Sequence, residues 1–376
     1  MKKIYITSLH LNHGGVEMAI TLLANALVKR NYDVEILCIY NLGTPAYALD
    51  ERVKVTYLTN VKPNKDEFKQ ACRSKNPFKI LKEGLYSVKV LCLKKKSMKD
   101  AIISIDDGTV IATRIEHAVL LSKFGKKDVT KIAQLHHDHN FSKDICDNFI
   151  NRYNNIDEFV VLTDLLKEEI SEMMKDNKHT NIRVIPNFLS EYSKLENVSR
   201  KNKVVTVGRI HEVKGFERLI DIWALVKKDN DEVLEIIGDG DETIKSSLQN
   251  KITELGLEKS VVLKGALSHD EVLKEMLESK LYVMTSYSEA FPFVLLEAMS
   301  SGLPVVAFDV RVGPRAIITD GKDGFLIKDG DNRLFADKLY EMLSNDDMID
   351  ELSKNAIKKA DMFSEEEVIK KWLEII

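Results

Sequence analysis

Short runs of β-favouring residues alternate with longer stretches whose apolar positions recur at helical spacing, and this alternation runs along almost the whole chain. "KKIYITS", "DVEILCIY", "VKVTYLT", "DAIISID", "KIAQLHH", "EFVVLT" and "IRVIPNF" read as strands. Helical periods stand between many of them, in "GVEMAITLLANALVKR", over 109–123 and from Asp164 onward. A polar stretch, "LSEYSKLENVSRKN", reads as a linker, and a second series follows: "KVVTVGR", "VLEIIGDG", "VVLKG", "LYVMTS", "PVVAFD" and "GFLI". Its helices are expected over 215–228, up to about Leu255, over 269–278 and from Pro292. A strand that returns to a parallel neighbour needs a covering helix in its crossover, so this order predicts parallel sheets helical on both faces. Two such series predict an α/β chain of two doubly wound, Rossmann-like domains with a cleft between them. The expected boundaries are 1–190, a linker over 191–202, a second domain over 203–363 and a closing helix over 364–376.

The length of 376 residues agrees, because a single core seldom grows that large. Apolar residues at 44% and charged residues at 30% are ordinary for a globular chain. No apolar run is long enough for a transmembrane span, and the opening "MKKIYITSLHLNHGG" is broken before a signal-peptide core could form. Cys38, Cys72, Cys92 and Cys146 have no C-x-x-C spacing, and reduced thiols in a cytoplasmic protein are expected. Charge divides the halves: residues 1–200 carry 31 basic against 25 acidic side chains, and residues 201–376 carry 24 against 34. Most of the positive excess lies in 61–100, with 12 basic against 4 acidic residues and apolar side chains interleaved. That composition suits either a pair of basic amphipathic helices on an anionic membrane surface or a solvated helical face.

Ligands of open parallel sheets bind beyond the carboxyl ends of the strands, so the loops there hold the candidate residues. Gly14 and Gly15 in "HGGVE" open a helix after the first strand, where bare backbone and a helix N-terminus suit a phosphate; a simple tight turn is the alternative. "QLHHDH" ends the fifth strand without zinc-type ligand spacing, and no metal site is expected. His136 there can donate to a substrate oxygen or stand as a satisfied histidine at the edge of the cleft. In "VGRIHEVKGFERLI", Gly208, Arg209 and Lys214 place two cations at a strand end beside a helix start, in reach of one diphosphate. Either cation alone could be a surface salt bridge. Gly238 in "IIGDGDE" and Gly265 with Ala266 in "LKGALSHDEV" end two more strands and offer backbone against which a base can lie.

The densest stretch is "SEAFPFVLLEAMSSGLPVV". Glu289 and Glu297 bracket seven apolar residues, and buried carboxylates persist only when paired or hydrogen-bonded. Phe291 and Pro292 lead into a helix whose first N–H groups, on Phe293, Val294 and Leu295, are expected to be free for phosphate oxygens. The two acids can then accept from the hydroxyls of a sugar and of a ribose; helix capping or pairing with a buried arginine would explain either one separately.

Taken in this order and spacing, "GGVE", "VGRIHEVKGFERLI", "IIGDGDE" and "TSYSEAFPFVLLEAMSSGLPVVAFD" resemble the family 4 retaining glycosyltransferases of the GT-B fold and their E-x7-E signature. The resemblance implies that Arg209 and Lys214 bind the donor diphosphate, Glu297 the nucleotide ribose and Glu289 the donor sugar at the reacting centre. It implies that Gly14 and Gly15 lie against phosphate and acceptor and that His136 contacts the transferred sugar. It further implies an N-terminal acceptor-binding domain and a C-terminal nucleotide-sugar domain, with the closing helix crossing back to the first. The reaction implied is metal-independent transfer, with retained configuration and no cofactor, from a nucleotide-diphosphate donor such as a UDP-sugar. The acceptor implied is a hydroxyl of a capsular, exopolysaccharide, lipopolysaccharide or lipid-linked glycan, met in the cytoplasm or at the inner face of the membrane through 61–100; no nucleic-acid partner is expected. A sugar-nucleotide epimerase and a non-catalytic sugar-nucleotide-binding protein are the alternatives. The chain departs from the common family pattern at Asn187–Phe188–Leu189–Ser190, at Ala290 and at Ala316.

Overall fold

The computed structural model describes residues 3–190, 200–226 and 232–376. It divides into two compact units, one of residues up to Ile185 together with Ile369–Ile376, the other Pro186–Val368. The linker expected over 191–202 falls for most of its length, 191–199, outside the described residues.

The first unit is built on a seven-stranded parallel sheet. Its strands are β1 (Ile4–Ser8), β2 (Val34–Tyr40), β3 (Lys54–Thr59), β4 (Gly108–Ala112), β5 (Val129–Gln134), β6 (Glu158–Val161) and β7 (Asn181–Val184), in the order β3-β2-β1-β4-β5-β6-β7. Every residue of β2 and β4 is buried, as a strand covered by helices on both faces requires. Crossovers are made by α1 (Gly15–Lys29), α4 (Ile115–Phe124), α5 (Lys143–Arg152) and α6 (Asp164–Met173), and by a pair, α2 (Lys65–Arg73) and α3 (Pro77–Ile103), between β3 and β4.

One expectation fails here. "DAIISID" is the last turn of α3 and not a strand; the strand is "GTVIA", and the following helix starts at Ile115 rather than at 109. The apolar residues Met98, Ile102 and Ile105 are buried, and their spacing of four and three continues the helical face of the preceding turns. A short apolar run read alone does not separate strand from helix.

The second unit repeats the plan with six parallel strands: β8 (Lys203–Val207), β9 (Val233–Ile237), β10 (Val261–Gly265), β11 (Leu281–Met284), β12 (Val305–Asp309) and β13 (Gly324–Lys328), ordered β10-β9-β8-β11-β12-β13. Its helices are α7 (Phe216–Leu225), α8 (Glu242–Glu254), α9 (His269–Leu277), α10 (Phe293–Ser300), α11 (Gly313–Ile317), α12 (Asn332–Leu343) and α13 (Asp346–Asp361). Trp223, Leu219, Ile236, Val283, Val306 and Phe335 form the centre of its core. The last helix, α14 (Glu365–Leu373), begins in the second unit and ends in the first. Among the described residues no helix is long and apolar enough to cross a membrane.

Strand order reverses between β1 and β4 in the first unit and between β8 and β11 in the second. In a doubly wound sheet the loops on either side of such a reversal diverge and leave a crevice at the carboxyl ends. The loops after β8 and β11 are those that carry Arg209 and Lys214 on one side and Glu289 on the other.

Candidate active site

In the second unit the sequence-separated cation and acid meet. Lys214 Nζ lies 2.6 Å from Glu289 Oε1, and the Ser286 hydroxyl donates to the same oxygen at 2.7 Å. Both ionic side chains are mostly shielded, with 23% and 12% of their surface exposed. At that degree of shielding their attraction is screened far less than between surface charges. Lys214 ends a short 3-10 turn, Glu212–Lys214, and Gly215 follows in the left-handed conformation at φ 63°. A β-carbon on Gly215 would collide with the Thr285 carbonyl oxygen, so only glycine lets the β8 loop lie directly against the β11 loop. Tyr287 N–H to the Val213 carbonyl (2.8 Å) and Thr285 hydroxyl to the Gly215 carbonyl (3.0 Å) tie the two loops together. Arg209 lies on the same loop, exposed, with no ion pair among the described residues.

The β11 loop then enters α10. Pro292 is the residue before the helix, in extended conformation at φ −75°, ψ 118°, rather than its first residue. The Leu295 N–H bonds to the Pro292 carbonyl at 3.2 Å; the Phe293 and Val294 N–H groups have no backbone partner among the described residues. Of the apolar run, Phe291, Pro292, Phe293 and Leu295 are buried and Val294 is half-buried. Glu297 is buried one turn inside, and its Oε1 meets His269 Nε2 of α9 at 2.9 Å. Among the described residues no partner is recorded for the second carboxylate oxygen of Glu289 or of Glu297. Gly313, from the β12 loop, donates its N–H to the Glu289 carbonyl at 2.9 Å, and Asn187 donates to the Phe291 carbonyl at 3.2 Å.

The floor beside this loop is backbone. Gly208 N–H bonds to Ile237 and Gly238 N–H to Gly265, each at 2.9 Å, so the ladders of β8, β9 and β10 run on past their strand ends. A side chain on Gly238, at φ 143°, would run into the Gly208 carbonyl oxygen. Ala266 follows on the β10 loop. A flat group can lie against three strand ends kept bare in this way.

Arg218 was not foreseen. Its guanidinium is buried on α7, donating from Nε to the Thr285 carbonyl (2.6 Å), from one terminal nitrogen to the Ser286 carbonyl (2.7 Å) and from the other to Asp329 (2.7 Å). The Tyr287 and Phe308 rings lie 4.0 and 4.1 Å from its central carbon. In sequence it looks like one more cation in "FERLI"; the available signal is that it stands one helical turn before the buried Ile222.

In the first unit Gly14 precedes α1 with extended backbone and Gly15 begins the helix. The buried Glu17 carboxylate bends back toward Gly14, pairs with Arg114 at 2.8 Å and lies 3.7 Å from His10. His136 follows β5, buried, and its Nε2 makes no hydrogen bond among the described residues. Burial lowers its pKa to about 3, with the neighbouring His137 and Arg114 adding to the shift, so the ring is neutral. His139 is buried 3.0 Å from Glu169 and accepts the Phe141 N–H on Nδ1 at 3.1 Å; it anchors a turn. In that turn Asn140 and Phe141 both have positive φ. Among the described residues no three His, Cys, Asp or Glu side chains gather as metal ligands.

Residues 190–359 match the model of the glycosyl transferases group 1 family. The amylovoran biosynthesis glycosyltransferase AmsD of Erwinia amylovora is 28% identical over 97% of this chain and 96% of its own. A Campylobacter jejuni enzyme, named GalNAc-alpha-(1->4)-GalNAc-alpha-(1->3)-diNAcBac-PP-undecaprenol alpha-1,4-N-acetyl-D-galactosaminyltransferase, is 27% identical over 100% and 98%. Among solved structures, a TarM mutant of S. aureus in complex with fondaparinux, alpha-GlcNAc-glycerol and UDP superposes with a TM-score of 0.79 at 20% identity, covering 100% of this chain and 99% of that one. The family match covers most of the second unit, the full length is shared with relatives named as glycosyltransferases, and the fold is that of TarM: the chain has the GT-B fold, and its similarities are to glycosyltransferases.

Proposed function

We propose that the protein moves a sugar from a UDP-sugar to a hydroxyl of a growing polysaccharide or lipid-linked glycan, with retention at the anomeric carbon and without a metal ion. The observation that carries the reading is the Lys214–Glu289 pair at the strand-order reversal of the second unit, beside the Phe293 and Val294 N–H groups at the start of α10, which have no backbone partner among the described residues, and one turn from Glu297. Lys214, Arg209 and the positive end of α10 supply fixed positive charge for a departing diphosphate, the part that a divalent cation would otherwise play. Glu289 has one oxygen held by Lys214 and Ser286, and its other oxygen accepts from a donor-sugar hydroxyl. Glu297, oriented by His269, accepts from the ribose. Phe291, Pro292, Phe293 and Leu295 pack that end of the helix in place, and the Gly208, Gly238, Gly265 and Ala266 backbone receives the base. In the first unit Gly14 and Gly15 serve the acceptor side, and neutral His136 donates or accepts at a sugar oxygen without adding charge. Solved structures of the same fold that hold UDP, and relatives named for amylovoran biosynthesis and for an undecaprenol-linked glycan, support the donor and acceptor classes.

The test is direct: the protein is incubated with a panel of UDP-sugars and an undecaprenyl-diphosphate-linked glycan in chelator, and the product anomer is read by NMR. Axial product from an axial donor is expected. Epimerised sugar nucleotide formed without acceptor, or an inverted product, would refute the reading.

We also propose that α3 meets an anionic membrane surface. Phe78, Leu81, Leu85, Val88 and Leu91 stand exposed, Phe78 by 82%, and the first four recur at three and four positions along one face. Lys82, Lys89, Lys95 and Lys96 are exposed around them. Apolar side chains entering the acyl boundary with lysines at headgroup level is the arrangement of an interfacial helix. Flotation with phosphatidylglycerol vesicles should fall several-fold for the double variant L81E/L85E and on raising salt; unchanged partitioning in both arms refutes the contact.

A further inference from the structure

We infer that Arg218 is a positioning residue for transfer: it fixes the loop that holds Glu289 against Lys214, and it does so without touching either substrate. The inference rests on reading that pair as the donor site. Five features converge on one guanidinium. Its three donor nitrogens go to the backbone carbonyls of Thr285 and Ser286 and to Asp329 after β13, and the rings of Tyr287 and Phe308 lie 4.0 and 4.1 Å from its central carbon. Thr285, Ser286 and Tyr287 are consecutive residues of the β11 loop, and Ser286 itself donates to Glu289. The neighbouring Gly215 has no room for a side chain, so the loop rests on the start of α7 as well.

Physical necessity runs in one direction here. Thr285 and Ser286 are buried, and a buried carbonyl without a donor is costly, so these two oxygens need Arg218 or a rearranged loop. Lysine cannot replace it: an ammonium has no flat face to lie against an aromatic ring and no rigid fork to serve three directions. A loop shifted by 1 Å would carry Glu289 off Lys214 while leaving the nucleotide floor, on β8, β9 and β10, where it is. Loss of Arg218 should therefore lower kcat far more than it weakens binding of the nucleoside diphosphate.

The experiment compares wild type, R218M, R218K and R218A for kcat, for the Kd of UDP and for unfolding midpoint. R218M and R218K are expected to lose at least thirtyfold in kcat with a UDP Kd within threefold of wild type. Millimolar methylguanidinium is expected to restore R218A at least fivefold while leaving wild type unchanged. Activity within twofold of wild type in R218K, a Kd that weakens in step with kcat, or no response of R218A to methylguanidinium would overturn the role. Should R218M not fold, R218K and the guanidinium response decide. Wild type without transfer to any acceptor would instead sink the function proposed above, whatever the variants do.

Discussion

The two units share one architecture and equip the same place in it differently. In the second unit the reversal of strand order keeps positive charge in excess: Lys214 is paired with Glu289, but Arg209 on the same loop has no ion pair among the described residues, a helix N-terminus stands between the acids, and glycines keep side chains out of the floor. The corresponding end of the first unit carries groups with their charge cancelled or suppressed. Glu17 is neutralised by Arg114, and His136 and His117 are buried and uncharged, burial pushing His117 down to about 4. The difference teaches that a doubly wound sheet fixes where a ligand can sit and leaves its chemistry to the loops. A site with fixed positive charge suits a diphosphate; one with neutral imidazoles and a spent carboxylate suits hydroxyls.

The largest effect that would break this contrast is at Glu289. Replacing it with alanine should lower transfer by roughly 10²–10³-fold, the scale of losing one preorganised electrostatic group. The Kd of UDP should change little, because the nucleotide floor lies on other loops; transfer surviving at a tenth of wild type would show that the acid does not serve the reacting sugar.

A smaller effect sharpens the comparison from the other unit. His136 and His117 have folded pKa values near 3 and 4, below the usual 6.5, so from pH 6.5 downward the unfolded chain binds protons that the folded chain does not. Stability contributed this way is complete above pH 7 and is lost as pH falls through 6.5 toward those values. Between pH 7 and 5 the loss should be on the order of 2 kcal/mol for each ring and about 4 kcal/mol for the pair. The paired carboxylates Glu35 and Glu116, held near 2, do not titrate in that window. H136N should flatten the slope, and a flat profile in wild type would contradict the buried, neutral ring.

Much of this was legible in the chain. The strand and helix alternation carried both sheets because parallel, doubly covered strands leave continuous apolar runs that few other folds need. Lys214 and Glu289 stood out because each follows a strand and has a glycine or proline close by. Arg218 did not, since a charged residue inside an amphipathic helix reads as solvent-facing until its bonds to the Thr285 and Ser286 carbonyls and the nearby rings of Tyr287 and Phe308 are seen. The strand "GTVIA" was missed because "DAIISID", just upstream, is equally apolar and only the burial of Met98, Ile102 and Ile105 on one face identifies it as helix. The free N–H at Leu295 failed on a detail of one turn, its bond to Pro292.

The measurement closest to the central claim, the proposal that the second unit holds the nucleotide of the donor, is amide hydrogen exchange with and without saturating UDP. Protection is expected in peptides spanning residues 208–215 and 285–297, with little change in residues 3–185. Protection confined to the first unit, or none at saturation, would contradict it.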